Sequence, residues 1–292
     1  MMMMKQKLTL STLSLLFLTL PCAVVHSFSA IPTPSSAGKV GTNVPDGHME
    51  LFPVEPTMNR IEGGGGTIRT YQVPPGVERL QYVIRSDGRP LKARVELWIG
   101  PIRRIHYCEL DMMNGAKTPY RATLKFKPLG VTLRIGTTKK SSGEFPIMAG
   151  VYVPKPDESK SIGKLTQAVF EGNEKTLVQG GAIEGGHGAV RVFKYDETIK
   201  SMQLVIWSRD VGKKSYKAYI EVLNGPNNDK QILDLQCGGG TQPYHAVIQT
   251  PGIGEIRLYN KKYIEDGLFQ IAMVPYEYND YSEPSAAGNW YD

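Results

Sequence analysis

Cysteine is scarce, with three residues in a chain of 292. That excludes a disulfide-built scaffold and any Cys-rich zinc cluster. Long helical patterns are missing too: no window of twelve or more residues carries a strong 3.6-residue period. No Lys/Arg block of the nucleic-acid type occurs. The glycine run Gly63 to Gly66 is followed by Thr67-Ile68 instead of the Lys-Ser/Thr of a phosphate loop. It reads as a strand bulge or a loose approach to a strand. There is no Gly-x-Ser-x-Gly elbow and no Cys-x-x-Cys. His48, His106, His187 and His245 stand at no metal-ligand spacing and read as surface or turn histidines. Glu96 and Glu221 occupy equivalent places on polar strand faces, which suits a solvated or interfacial role. No catalytic residue, metal site or cofactor is assigned.

Turn residues are abundant. Gly (31) and Pro (20) make up 51 of 292 residues, above the usual share of roughly 12%. With 41% hydrophobic and 21% charged residues the chain is globular, and its length allows two domains at most.

The N-terminus reads as an address. Lys5 and Lys7 precede an uncharged run from Leu8 to Val25, diluted by Ser and Thr, as in a secretory signal. Val25 and Ser27 fit the −3 and −1 positions of a cleavage site, and Phe28 follows at once. The next stretch, to Thr42, holds Ser, Pro, Lys and Thr without an acid, as in a transit peptide. A signal followed directly by Phe resembles the bipartite plastid presequence of diatoms. The expected segments are 1–27 (signal peptide) and 28–50 (transit segment), with a plastid-stromal mature protein. Removing residues 1–27 takes away two lysines and lowers the net charge from +6 to +4. It leaves Cys108 and Cys237, expected in a reducing compartment to be small buried hydrophobes without a disulfide.

The chain repeats itself, and this is its most informative feature. Ile61 to Arg69 aligns with Ile183 to Arg191 with six identities in nine. Leu80 to Ser86 matches Met202 to Ser208, Val95 to Pro101 matches Ile220 to Pro226, and Thr118 to Ala122 matches Gln242 to Ala246. Within each unit the pattern alternates: Leu91, Ala93, Val95, Leu97 and Ile99 are apolar between mostly charged neighbours, and Tyr216 to Leu223 repeats the scheme. Such alternation marks half-buried strands. Gly100-Pro101 and Gly225-Pro226 end them. The expected fold is all-β, with two tandem antiparallel sandwich-like repeats (51–153 and 183–275) packed with pseudo-two-fold symmetry. Residues 154–182 form a linker whose best helical stretch is Gly163 to Glu171. Residues 276–292 form an extended tail with four acids, no base and five aromatics.

The blocks Ile-Glu-Gly-Gly…Arg, Gly-Pro and Pro-Tyr-x-Ala, behind that presequence, resemble the diatom pyrenoid-shell (PyShell) proteins over about residues 50–292. The resemblance implies a non-enzymatic, self-assembling sheet around the Rubisco-filled pyrenoid that supports CO2 fixation. Its partners would be other copies of itself, shell paralogues or Rubisco, with neither nucleic acid nor a membrane bound by the mature form. The residues alone nominate Tyr276, Tyr278, Tyr281, Trp290, Tyr291, Asp292, Trp98 and Trp207 as assembly contacts, because aromatics on polar faces and tails are enriched where proteins meet. A second reading is a plastid carbohydrate-binding β-sandwich, with Trp98, Trp207, Tyr120 and Tyr244 as stacking platforms. A third is a glycan hydrolase on the same scaffold.

Overall fold

The computed structural model describes residues 28–29, 50–64, 66–138, 145–178, 190–208, 215–225, 230–238, 243–261 and 269–279. The signal segment, most of the transit segment, His48, His187, Tyr281, Trp290, Tyr291 and Asp292 lie outside them.

The strands are β1 (Phe28–Ser29), β2 (Asn59–Ile61), β3 (Ile68–Val73), β4 (Arg79–Arg85), β5 (Leu91–Ile99), β6 (Arg103–Met112), β7 (Tyr120–Lys125), β8 (Val131–Thr137) and β9 (Ile147–Tyr152). Helix α1 (Pro156–Gly172) follows. The second series is β10 (Thr176–Val178), β11 (Val190–Tyr195), β12 (Ile199–Ser208), β13 (Tyr216–Asn224), β14 (Lys230–Cys237), β15 (Tyr244–Gln249), β16 (Gly254–Asn260) and β17 (Phe269–Tyr278). The alternation in sequence is the alternation in space. Leu91, Ala93, Val95 and Leu97 of β5 and Tyr216, Ala218, Ile220 and Val222 of β13 are all fully buried between the two sheets.

The sandwich is all-β, as expected, and its halves are related as expected. The way they join is not two sandwiches laid against each other. One sheet runs β1-β3-β8-β5-β6-β14-β13-β16-β11 and the other β10-β17-β12-β15-β7-β4-β9-β2. β2 to β9 correspond one by one to β10 to β17, so leaving out β1 each sheet order is palindromic. The repeats fuse edge to edge through β6–β14 in one sheet and β7–β15 in the other. Fusion pairs four strand edges with one another, whereas face-to-face packing would leave four extra edges to protect.

The pseudo-dyad can be located from register. In β6–β14, Glu109 faces Asp234. Glu109 is paired on its other side with Arg94, and Asp234 with Tyr219, the residue equivalent to Arg94. In β7–β15, Ala122 faces Ala246. Under this axis lies a cluster of fully buried side chains: Tyr82, Tyr120, Tyr216, Tyr244, Cys108 and Cys237. The Tyr120 and Tyr244 hydroxyls bond to each other across the seam, and Tyr82 Oη lies 3.4 Å from Tyr244 Oη. Neither cysteine forms a disulfide. Cys108 stands opposite Val95, and Leu233 opposite its equivalent Ile220, so the thiol replaces an aliphatic side chain.

Helix α1 is longer than the stretch Gly163 to Glu171. Pro156 opens it, Asp157 and Glu158 fill the first turn, and the Lys155 N–H donates to Glu158 Oε2 at 2.9 Å. Its buried stripe Ile162, Thr166, Phe170 repeats every four residues and lies against the outer face of the second sheet. Gly163 sits over the buried Arg79: a Cβ there would stand 3.1 Å from the guanidinium.

Candidate assembly surfaces

The two outer faces of the sandwich are finished differently. That of the β10-to-β2 sheet is covered. Leu51, Phe52, Ile162, Leu165, Val247 and Tyr276 pack together over it, and Phe170, Val169, Val205, Ala272 and Trp207 form a second patch. Gln81 Nε2 donates to the Leu51 carbonyl at 2.6 Å and ties residues near 51 to this face. His245 projects to the same side. It is fully buried, with Nδ1 3.0 Å from the Thr166 hydroxyl of α1 and Nε2 3.1 Å from Gln203 Oε1. His106, on the inner side of the other sheet, stacks on Tyr244 at 5.5 Å and lies 3.2 Å from Cys237 Sγ. Neither is the surface or turn histidine that its spacing suggested.

Burial, reinforced by the Arg79 cation, pushes the His245 pKa down to about 3, and burial with Arg104 does the same for His106. Both rings are therefore neutral in the fold, while in the unfolded chain each takes up a proton below about pH 6.5. Their contribution is complete above that pH and is lost as the pH falls towards 3, at up to about 1.4 kcal/mol per pH unit per ring. Urea midpoints should thus drop steeply between pH 6.5 and 4, and His245→Gln should remove about half of that dependence. A midpoint unchanged across this range contradicts the assignment.

Among the described residues, no helix lies on the outer face of the other sheet. A charged and aromatic grid covers it. Glu96 accepts from Arg104 at 3.1 Å and from Trp98 Nε1 at 3.1 Å. Arg134 lies over the Trp98 ring at 5.1 Å. The equivalent Glu221 accepts from Lys230 at 2.7 Å and from the Tyr259 hydroxyl at 3.1 Å. Lys261 sits over Tyr219 at 3.8 Å and pairs with Asp234 at 3.1 Å. Glu96 and Glu221 are thus anchors of a cross-linked surface, in which cation and ring neighbours tie adjacent strands together.

The sheet ends differ as well. At the second-repeat end, β10 and β11 are the edges, and Leu177, Val190 and Val192 point outward, 40%, 41% and 49% exposed. At the other end, Arg60 and Glu62 close a 2.7 Å ion pair on and beside β2, and Phe28–Ser29 pairs in parallel with Thr70–Tyr71 of β3.

The nominated residues therefore separate. Trp98 lies on the charged and aromatic grid, beside Glu96 and Arg134. Trp207 lies under α1, its ring 5.0 Å from that of Phe170, and is occupied within the chain. Tyr276 is inside the covered face, where burial and the nearby Glu277 and Glu50 push its phenol up to about 12. Tyr278 is exposed at the end of β17, opposite Ile199. β17 runs through both, and beyond it the Asn279 N–H still donates to the Thr198 carbonyl at 2.8 Å. Tyr120 and Tyr244, the stacking platforms of the carbohydrate reading, are core residues with no solvent exposure. Sequence reasoning missed Val190, Val192 and Leu177. The signal for them was a strand of alternating Val-Arg-Val-Phe-Lys-Tyr with apolar residues on both faces.

Among known proteins, solved structures give only distant likenesses. A single-residue variant of the oxalate decarboxylase of B. subtilis is 10% identical, with 74% of this chain and 71% of that chain covered and a TM-score of 0.14. The oxalate decarboxylase formate complex of Lactobacillus farciminis is 10% identical, with 76% and 77% covered and a TM-score of 0.15. Recombinant pro-11S globulin of pumpkin is 6% identical, with 74% and 86% covered and a TM-score of 0.13. Scores this low carry no argument about fold or chemistry. No curated protein matches. The family model is decisive: it matches residues 53–275, a span that takes in every strand from β2 to β16 and all but the end of β17. The chain belongs to the diatom pyrenoid shell protein family.

Proposed function

We propose that this chain is a structural protein of the plastid stroma that assembles with copies of itself into a sheet enclosing the Rubisco-containing pyrenoid and so supports CO2 fixation. The family supplies the shell role and the pyrenoid location. The observation that carries self-assembly is the duplicated sandwich, in which, among the described residues, the edge strand β11 has a neighbour on one side alone and no helix lies on the charged, aromatic sheet face. A pseudo-symmetric body offers two related edges, and open contacts between such edges propagate where a single self-complementary patch would close. Concentration-dependent sedimentation tests it. Purified protein should form particles far heavier than the 32.3 kDa chain, and a protein that remains monomeric at high concentration contradicts the proposal.

The stromal address has its own check. Phe28→Ala in a fluorescent fusion of residues 1–50 should leave the fusion outside the stroma, because the residue following signal cleavage carries the presequence resemblance. Import equal to that of the unaltered fusion removes the plastid argument drawn from the N-terminus.

A further inference from the structure

β11 is an edge strand of an unusual kind. One side is paired with β16 along all six residues, Val190 to Tyr195. On the other side no strand lies beside it among the described residues. Natural edges of this length are blunted by lysine and other charges, proline, bulges or a covering segment, and on β11 Lys194 is the one outward charge. β11 has no proline, its pairing with β16 shows no register shift, and its outward rank is Val190, Val192 and Lys194. Arg191 stands on the opposite rank, and its Nε donates to the Leu177 carbonyl of β10 at 3.3 Å. Its counterpart in the first repeat, β3, has a strand added at the same place: Thr70–Tyr71, equivalent to Val192–Phe193, is paired with Phe28–Ser29.

We propose that β11 is a dimer edge, pairing antiparallel with β11 of a second copy about a two-fold axis at Val192; this rests on the reading that the chain self-assembles. The joint would repeat, between chains, what the fold already does within one. At the internal seam equivalent strands β6 and β14 run antiparallel with equivalent residues Glu109 and Asp234 face to face. Centred on Val192, the outward rank Val190, Val192, Lys194 meets the second copy's rank in reverse. Val192 then faces Val192 of the second copy and Lys194 faces Val190, so no like charges are opposed. The nine-stranded sheet would become one sheet running through both copies, and each pair would end at both sides on β3 with the short strand β1 beside it. This is the arrangement an open series of alternating two-folds needs.

Cross-linking tests this directly. Facing residues of an antiparallel pair have Cα atoms about 4.5–5.5 Å apart, within disulfide reach. Cys108 and Cys237 are fully buried, and wild-type protein carried through the same oxidation sets the background. Val192→Cys should give a covalent dimer well above that background, whether or not residues 280–292 are present. Val192→Lys should weaken dimerisation at least tenfold, while Val192→Thr, which keeps the β-branched shape, should not. Large assemblies formed without a Val192→Cys cross-link would overturn the β11 joint and leave the shell reading standing. Covalent dimers that never grow further would do the reverse. A cross-link that appears only when Val190→Cys is mixed with Ile68→Cys would show head-to-tail pairing with β3. One that appears only after residues 280–292 are removed would show the chain's own tail on the edge. Either result overturns the proposal.

Discussion

Deleting residues 280–292 is expected to abolish large assemblies while leaving the sandwich folded. The cut begins at 280 because β17 continues through Tyr278 and Asn279 is held by the β11–β12 turn. A deletion from 276 would also strip Tyr276 from the patch it shares with Leu51, Phe52 and Ile162. The removed segment carries Asp280, Glu283 and Asp292 and no base, so the net charge of the chain without its signal rises from +4 to +7. A basic body and an acidic tail attract each other, and salt screens that attraction beyond about 10 Å at 0.1 M. Tyr281, Trp290 and Tyr291 add the apolar part, and aromatic anchors buried in an interface are typically worth about 2 kcal/mol or more each. Assembly should therefore weaken with salt and fail without the tail. A truncated protein that assembles as readily as the whole one contradicts this role, and one that assembles more readily assigns the tail to covering its own chain.

The second large effect is expected at the seam. Tyr244→Ala should cost about 3–5 kcal/mol, the usual range for removing a large buried aromatic. The position is severe for three reasons. The ring has no solvent exposure, its hydroxyl bonds that of Tyr120 from the other repeat, and its face stacks on His106. Tyr244→Phe keeps the ring and should cost about 1–2 kcal/mol, because the buried Tyr120 hydroxyl loses a partner. Chemical denaturation of the three proteins measures both. If Tyr244→Ala is as stable as the parent, the two repeats are not held together through this cluster.

The strands were legible in the sequence because a half-buried strand writes its pleat into alternate residues, as β5 and β13 do. The pseudo-symmetry was legible because four blocks recur in order. The seam was not: β6 pairs with β14 across more than a hundred residues, and no local pattern specifies which edge of a repeat meets which. The tail was begun at 276 on its acids and aromatics, whereas β17 runs through Pro275 to Tyr278. Pro275 is tolerated inside the strand because β10 pairs only with Phe269 to Ile271, so at Pro275 β17 needs a partner on the β12 side alone. The start of α1 was hidden among charged residues, although Pro156-Asp157-Glu158 is a sound helix opening. His106 and His245 looked superficial because spacing alone cannot show that a strand face is covered by a helix or a second sheet. Of the nominated contacts, Trp98 and Tyr278 are accessible, whereas Trp207 and Tyr276 were drawn into the fold by α1.

Electron microscopy of the purified protein, at rising concentration and low salt, tests the central claim most directly. Extended sheets or tubes one sandwich thick are expected, with the strands of neighbouring chains running on from one copy to the next. A field of separate particles the size of one chain or one dimer, unchanged at the highest concentration, would contradict it.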